Sequence, residues 1–271
     1  MKGLVVLDES YIDPAIVCLT SFFKYNDIPV VAYVKKGGDY SRLDFPKLEI
    51  KEIEFPELDT SKILLCKIQP AAMPACLARL KALQEECREN TSILNFDLDT
   101  LFLGKIGIEP DKKGIYGSIE DTHKIWMNKP YYTDVVKTDK YFNTGLILYH
   151  HVDLSNLWDS FLEFFNGPDG KYLYCTEQDY INLYFKDDEK YVISNKYHKL
   201  WTMVHYCAQP TIMVHFYDVI KPWLMDTYGI YTQFNTYYFK KYFEVASPLK
   251  EKLSTRFFNI LFHNSHLICK N

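Results

Sequence analysis

The sequence predicts an α/β protein with a mostly parallel central sheet covered by helices. Over the first hundred residues, apolar strand-like segments alternate with helix-like segments, and this alternation is typical of βαβ units. The chain has 271 residues, of which 48% are hydrophobic, so it can bury a full core. We therefore expect one large domain, or one domain with a sizeable extension.

The first half of the chain contains four predicted strands and two predicted helices. Residues 3–7 form an apolar run that predicts the first strand. Asp13 followed by Pro14 is a helix start signal, so a helix is predicted over residues 13–25. The remaining elements are strands over residues 28–34 and 48–53, the latter charged and edge-like, a helix over residues 71–88, and a strand that ends at Asp97.

The second half continues with further strands and helices. The predicted strands cover residues 114–119, 145–150 and 211–216, and the predicted helices cover residues 154–166 and 177–185. Residues 237–271 are rich in Lys, Phe and Leu, a pattern compatible with amphipathic helices. Such helices either pack on their own domain or contact a membrane surface or a partner.

Composition excludes several classes of protein. The net charge of −4 and the pI near 6.1 argue against nucleic acid as a partner. The seven cysteines are odd in number, scattered and without a Cys-x-x-Cys pair, which argues against a disulfide framework and a structural zinc site. The N-terminal apolar run is too short for a signal peptide, and no run approaches a membrane span. We expect a cytoplasmic protein, either free or bound peripherally at the membrane face.

An acidic pair, Asp97 and Asp99, follows the apolar residues of the fourth predicted strand. In open α/β sheets, ligands bind at the carboxyl ends of the strands. Residues i and i+2 of a strand point to the same side, so these carboxylates would repel each other unless a cation lay between them. A divalent metal carrying a phosphorylated ligand would supply that cation. The alternative interpretation is that Asp99 or Thr100 caps a short helix.

Three further polar segments follow the acidic pair in order. They are Asn143-Thr144-Gly145 before an apolar strand, Glu177-Gln178-Asp179 at the start of a helix, and His215 with Lys221 six residues later. In this order and spacing, the four segments resemble the retaining glycosyltransferases of family 8, the glycogenin and bacterial galactosyltransferase type. The resemblance covers about residues 5–223.

The resemblance implies the fold and its boundaries. We expect a single GT-A domain, the nucleotide-diphospho-sugar transferase fold, over residues 1–233. Its nucleotide-binding half would span residues 1–104 and its acceptor-side half residues 105–233, followed by a C-terminal amphipathic helical extension at residues 234–271. The implied reaction moves a hexose or pentose from a UDP-sugar to a hydroxyl of a glycan or glycolipid acceptor.

The resemblance also implies a metal site. Asp97, Asp99 and His215 would hold a divalent ion, which acts as a Lewis acid on the departing diphosphate. Mixed carboxylate and imidazole ligands favour Mn²⁺, with Mg²⁺ as the alternative. Lys221 would add a positive charge beside the diphosphate. Taken alone, His215 would more often be a buried core histidine, but Lys221, Pro222 and Trp223 at the matching offset favour the metal-ligand interpretation.

The nucleotide would bind near the first strand. Tyr11 would stack on the uracil, and Asp8 could hydrogen-bond the base, although a turn of this composition is common as a purely structural feature. Arg79 or Lys81 would contact the donor phosphates or sugar, with a solvated helix face as the alternative. Leu98, between the two acids, is also assigned to donor binding.

The donor sugar would lie on the helix start at residues 177–179. Gln178 would face the anomeric carbon, Glu177 and Asp179 would lie close by, and Asn143 and Thr144 would bind sugar hydroxyls. Because an amide is a poor nucleophile, retention by front-face attack is favoured, and covalent catalysis by Glu177 or Asp179 is the alternative. A simple helix-start role for residues 177–179 also stays open.

Two departures from the family pattern leave other functions open. Asp218 stands where the family has a glycine near the diphosphate, and Glu177 stands in place of an aspartate. A nucleotide-sugar-binding scaffold with weakened catalysis is therefore one alternative. A haloacid-dehalogenase-type phosphatase is another, with residues 96–101 as its nucleophile motif and Asp187 and Asp188 as a metal pair.

Acceptor contacts are expected from residues 126–138 and 196–206.

Overall fold

The computed structural model describes residues 1–59, 73–120, 135–200, 211–216, 221–223 and 236–269. The strands are β1 (Lys2–Leu7), β2 (Val30–Lys35), β3 (Leu48–Ile53), β4 (Ser92–Phe96), β5 (Thr100–Phe102), β6 (Gly114–Ile119), β7 (Phe142–His150), β8 (Lys190–Val192), β9 (Lys199–Leu200) and β10 (Met213–His215). The helices are α1 (Ile12–Tyr25), α2 (Met73–Glu86), α3 (Leu157–Asn166), α4 (Thr176–Tyr184), α5 (Thr236–Ala246) and α6 (Thr255–Cys269).

The central sheet has seven strands in the order β3-β2-β1-β4-β7-β6-β8. Its pairs are parallel except those of β7, which runs antiparallel to both β4 and β6. This arrangement confirms the predicted α/β class with a mostly parallel sheet. A second sheet of three strands, in the order β5-β10-β9, lies beyond the carboxyl end of β4.

Helices bury both faces of the central sheet. Successive residues of β1 belong to different apolar clusters, Leu4 to one and Val5 to the other, because side chains alternate along a strand. The cluster around Leu4 includes Leu77 of α2 and Phe161 of α3, and the cluster around Val5 includes Phe22 of α1. Burial on both faces explains the uninterrupted apolar runs at residues 3–7 of β1, 30–34 of β2 and 145–149 of β7.

The C-terminal helices α5 and α6 are part of the Val5 cluster. Their inward residues Tyr242, Phe257 and Leu261 are buried in it, so the predicted amphipathic helices pack on the domain that precedes them. The predicted division at residue 233 stays a prediction. Within the described ranges, each helix is either too short or too polar to cross a bilayer.

Most element bounds agree with the sequence prediction within a few residues, and one start signal was misread. Helix α1 begins at Ile12 rather than at Asp13, and Tyr11 is its N-cap residue without a side-chain cap. Asp13 instead pairs with Arg42 and accepts a hydrogen bond from the backbone N–H of Ser254, 2.9 Å away, just before α6. A carboxylate that could cap its own helix is thus used to hold a distant one.

The helix-cap interpretation of the acidic pair is wrong. Thr100 begins strand β5, and no helix follows Asp99 within residues 100–120. The Thr100 hydroxyl donates to the carbonyl oxygen of Asp97, 2.7 Å away, which closes the turn between β4 and β5. The two acids therefore lie in a tight connection between strands of different sheets.

Candidate functional site

The carboxyl end of β4 brings three of the predicted site residues together. The backbone N–H of Asp97 donates to the carbonyl of Gly145 on the neighbouring β7, at 3.0 Å. Strand β10 pairs antiparallel with β5 and sets His215 opposite Thr100. The N–H of Phe216 then donates to the carbonyl of Asp99, at 2.8 Å. Backbone pairing thus fixes His215 beside both acids.

The three side chains form a compact group with metal-ligand chemistry. The Nε2 atom of His215 lies 3.1 Å from Oδ1 of Asp99 and 3.4 Å from Oδ2 of Asp97. One donor atom from each residue lies within 4.8 Å of the other two, close enough for one ion to contact all three. The side chain of Asp97 is 21% exposed and that of Asp99 10%, so the group opens to solvent on the Asp97 side.

Each acid of the pair is compensated by a cation. Lys221 forms an ion pair with Asp99, and its ammonium group also donates to the carbonyl of Phe216 at 3.1 Å. Burial alone would raise the pKa of Asp99, but Lys221 and then His215 outweigh it and hold that pKa well below its usual range. Asp99 is therefore a carboxylate throughout the physiological pH range.

Arg79 pairs with Asp97 and, through Nη1, with Oε1 of Glu177 at 3.0 Å. It is the predicted basic residue of helix α2 that reaches the site. Lys81, the other candidate, lies over the ring of Trp158, 5.1 Å from its centroid. One guanidinium therefore connects the acidic pair to the predicted sugar-binding end.

Glu177 is almost fully buried at this sugar-binding end. Its Oε1 accepts a hydrogen bond from the Thr144 hydroxyl at 3.2 Å, in addition to the one from Arg79. Burial raises the pKa of Glu177 to about 7, although Arg79 opposes the shift. The carboxyl group can therefore carry or release a proton near neutral pH.

Every polar atom of the Gln178 amide has a partner. Its Oε1 accepts from the N–H and hydroxyl of Thr144 at 3.0 and 3.2 Å. Its Nε2 donates to Oε2 of Glu120 and to the hydroxyl of Tyr141, both at 3.0 Å. The orientation of the amide is therefore fixed, with the carbonyl towards β7 and the nitrogen towards Glu120.

Glu120 is a site residue that the sequence interpretation missed. It is 2% exposed, and its Oε2 also accepts from Nδ2 of Asn143 at 2.9 Å. A signal was available, because Glu120 directly follows the predicted strand over residues 114–119, as Asp97 follows its own strand. Such a buried acid joins two of the predicted sugar-binding residues, Asn143 and Gln178.

Asp179 holds the chain that leads into α4. Its Oδ1 accepts from the Tyr141 hydroxyl at 2.6 Å, and its Oδ2 accepts from the N–H groups of Tyr174 and Cys175 at 2.6 and 2.8 Å. Thr176, the first residue of α4, has a φ of 28°, a conformation that needs such support. These contacts occupy both oxygens and favour the helix-start interpretation of Asp179 over a nucleophilic role.

The predicted nucleotide-binding residues lie at the carboxyl ends of β1 and β2. A cavity of about 260 Å³ is lined there by Asp8, Glu9, Ser10, Lys35, Lys36, Gly37, Gly38 and Tyr40. Asp8 caps the short turn of residues 9–11 by accepting from the N–H of Ser10 at 2.9 Å. This contact is the structural role left open for Asp8. It uses the Oδ1 atom of the carboxylate.

Tyr11 and Leu98 have buried surroundings. The ring of Tyr11 meets that of Trp223 edge to face, with centroids 6.3 Å apart, and its hydroxyl is hydrogen-bonded to Lys221. Tyr11 thus lies beside Lys221, the residue predicted to contact the diphosphate. The Leu98 side chain is 4% exposed and packs in the Val5 cluster, so a donor contact at this position would come from the backbone.

Several predicted residues lie outside the described ranges. Asp218 is among them, as are residues 126–134 and 201–206 of the two predicted acceptor segments. Asp187, proposed as part of a phosphatase metal pair, accepts from the N–H of Asp139 at 2.9 Å and pairs with Lys190. The nucleophile motif lies after β4, the fourth strand, whereas that phosphatase family places it on the first. Both observations weigh against the phosphatase.

Two further contacts of His215 were not visible in the sequence. Nε2 of His198 lies 3.1 Å from Nδ1 of His215. A Cβ atom added to Gly145 would lie 2.3 Å from both Cε1 and Nδ1 of the same ring. Neither contact has a sequence signal, because each depends on how the strands pair.

The Gly145 contact gives a direct test of the His215 position. Gly145→Ala should displace the imidazole from the two carboxylates and weaken Mn²⁺ binding by at least about tenfold. Gly104→Ala is the matched control, because a Cβ there would lie 3.6 Å from its nearest neighbour, at ordinary contact distance. Electron paramagnetic resonance of free Mn²⁺ would measure both affinities. Equal affinities in the two variants would contradict the assigned geometry.

The raised pKa of Glu177 predicts a pH-dependent stability difference. The folded protein holds the proton up to about pH 7, whereas an ordinary glutamate releases it near 4.5, so this group's contribution to stability falls as pH rises through that window. Relative to Glu177→Gln, the wild type should lose on the order of 2 to 3 kcal/mol of unfolding free energy between pH 5 and pH 8. Urea unfolding of the metal-free proteins measures the difference.

The control for this stability test is Glu244→Gln, which alters an exposed acid of α5 paired with Lys241. It measures the pH dependence that a Glu-to-Gln substitution produces outside the buried network. The same pH dependence in Glu177→Gln would show that Glu177 is ionised throughout.

Comparisons with known proteins identify the fold. Neither a protein-family model nor a curated protein sequence matches this chain. Among solved structures, the galactosyltransferase LgtC, determined with donor and acceptor sugar analogues, matches with a TM-score of 0.70 and 15% identity over 93% of this chain and all of LgtC. GlyE of Streptococcus pneumoniae TIGR4 matches at 0.59 and 12% identity over 97% of this chain and 64% of GlyE. Mouse xyloside xylosyltransferase 1 matches with a TM-score of 0.52 and 14% identity over 79% of this chain and 96% of the xylosyltransferase chain. The chain therefore has the GT-A fold that its four polar segments predicted.

Proposed function

We propose that this protein is a metal-dependent, retaining glycosyltransferase that uses a UDP-sugar donor and a glycan or glycolipid acceptor. The observation that carries the proposal is the bridge made by Arg79 between Asp97 and Glu177. The bridge links the group of Asp97, Asp99 and His215, which suits a metal ion and a diphosphate, to the buried network of Glu177 and Gln178, which suits a sugar. The shared fold with sugar transferases supports the same conclusion.

The residues of the acidic group fit a divalent ion. Asp97, Asp99 and His215 would hold it, and two carboxylates with one imidazole suit Mn²⁺, with Mg²⁺ as the alternative. When bound, the ion supplies Lewis-acid stabilisation of the negative charge that develops on the departing diphosphate. The partly exposed side of Asp97 gives the ion and its ligand access to the group.

Charge balance explains why donor and ion should bind together. The cations Arg79 and Lys221 already cancel the charges of Asp97 and Asp99. A diphosphate alone would therefore leave this half-buried site with an excess negative charge, which is costly. A divalent ion cancels that excess, and Lys221 contributes a point charge next to the diphosphate.

The sugar end positions the donor for front-face substitution. The acceptor oxygen forms a bond to the anomeric carbon, the bond from that carbon to the phosphate oxygen breaks, and the acceptor proton passes to the phosphate oxygen. Gln178 is held by Glu120, Tyr141 and Thr144, so its amide is fixed in place and does not attack the sugar. Glu177, with a pKa of about 7, can donate to or accept from a sugar hydroxyl.

The experiment measures UDP release from a panel of UDP-sugars by the full chain, with Mn²⁺ and with EDTA. Turnover should require the metal and should increase when the matching acceptor is present. Lys221→Ala should lower turnover about a hundredfold or more, because single groups that stabilise transition-state charge contribute roughly 3 to 4 kcal/mol. Lys241→Ala, which removes an exposed lysine paired with Glu244, is the control and should leave turnover unchanged.

Other outcomes identify the alternatives. Metal-dependent UDP binding without turnover would indicate a nucleotide-sugar-binding scaffold, for which Asp218 is the sequence argument. Release of phosphate from small phosphoesters would indicate a phosphatase. A β-linked first product from an α-linked donor, observed by NMR, would contradict retention.

A further inference from the structure

We propose that His198 is a positioning residue that fixes the ring of His215 so that its Nε2 faces the metal. The inference rests on the proposed function. His198 lies just before β9, which pairs in parallel with β10 and sets Leu200 opposite His215. The pairing of two short strands thus brings together imidazoles that are 17 residues apart in the chain.

The two rings meet edge to edge. Their nearest nitrogens are 3.1 Å apart, whereas their centroids are 5.3 Å apart and their planes differ by only 25°. An N–H of one ring can therefore point along the in-plane lone pair of the other, as a hydrogen bond requires. His198 and His215 are 1% and 3% exposed, so water cannot easily replace either partner.

The carboxylates determine which nitrogen of His215 carries the proton. In the metal-free protein, Nε2 of His215 faces oxygens of Asp99 and Asp97 at 3.1 and 3.4 Å, so it must be the protonated nitrogen. Nδ1 then presents its lone pair and accepts from Nε2–H of His198. Facing a cation, Nε2 must present its own lone pair, and the proton of neutral His215 lies on Nδ1.

His198 can serve both arrangements because imidazole is donor and acceptor in turn. With a metal ion at Nε2 of His215, Nδ1–H of His215 would donate to Nε2 of His198, whose own proton would then lie on Nδ1. The pair holds two protons in each state: one leaves from Nε2 of His215 and one is taken up at Nδ1 of His198. That Nδ1 is buried and has no hydrogen-bond partner among the described residues, so no contact there fixes whether it carries a proton.

The hydrogen bond prevents the ring of His215 from turning over. Without it, a half-turn of the imidazole would present carbon rather than nitrogen to the two carboxylates. Gly145 limits how far the ring can shift, since even a methyl group there would overlap it, but close packing alone does not distinguish nitrogen from carbon. Partners of metal-binding histidines elsewhere typically change metal affinity by about 10- to 100-fold when removed.

Three variants separate positioning from simple packing. His198→Leu keeps an apolar group of similar size and removes the hydrogen bond. His198→Gln keeps an amide that can donate or accept. His150→Gln is the control, since His150 bonds to Ser92 at the opposite end of β4. Thermal unfolding establishes that each variant is folded.

The measurements are Mn²⁺ affinity by electron paramagnetic resonance and imidazole tautomers by NMR of ¹⁵N-histidine-labelled full chain, without metal and with diamagnetic Mg²⁺. The chain has eight histidines, which gives a tractable spectrum. We expect His215 to carry its proton on Nε2 without metal and on Nδ1 with Mg²⁺. His198→Leu should lose about 10- to 100-fold in Mn²⁺ affinity, with His198→Gln and His150→Gln within a few-fold of wild type.

Two results overturn the proposal in distinguishable ways. Wild-type Mn²⁺ affinity in His198→Leu, or loss of affinity in His198→Gln equal to that in His198→Leu, would overturn the positioning role alone. Failure of the wild-type protein to bind Mn²⁺ would overturn the proposed function and, with it, the role of His198.

Discussion

The site depends on one electrostatic constraint, the crowding of Asp97 and Asp99 around a single imidazole nitrogen. Two carboxylates cannot be held this close in a partly buried turn without compensating positive charge. The fold supplies that charge from two directions, Arg79 from α2 and Lys221 from the segment after β10. Each cation therefore offsets the charge of one carboxylate before any ligand is bound.

The same cations give the site its proposed selectivity. Because they leave the acidic pair close to neutral, the site has no excess positive charge to offset a diphosphate unless a divalent cation binds with it. Arg79 also extends the network to Glu177, whose burial keeps its carboxyl group close to half-ionised at neutral pH. The proposed metal, diphosphate and sugar sites are thus parts of one connected polar network.

Sequence patterns predicted the parts of this network that follow local rules. The fold class followed from strand and helix alternation, and Asp97 was found because an apolar strand ends directly before it. Glu120 obeyed the same rule and could have been recognised. His198 could not, because its contact with His215 arises from the pairing of β9 with β10, and β9, with only two residues, is too short to carry a hydrophobic pattern. The misread start of α1 has a similar cause, since Asp13 is recruited by Ser254, 241 residues away.

The most direct test of the account is isothermal titration calorimetry of UDP, with the wild-type protein, in EDTA and in saturating Mn²⁺. The charge argument predicts strong coupling, with UDP affinity at least about a hundredfold higher in Mn²⁺. Asp99→Asn, which removes one of the two acids, should abolish most of that coupling. Equal UDP affinity with and without Mn²⁺ would contradict the account, because the acidic pair would then have no part in holding a diphosphate.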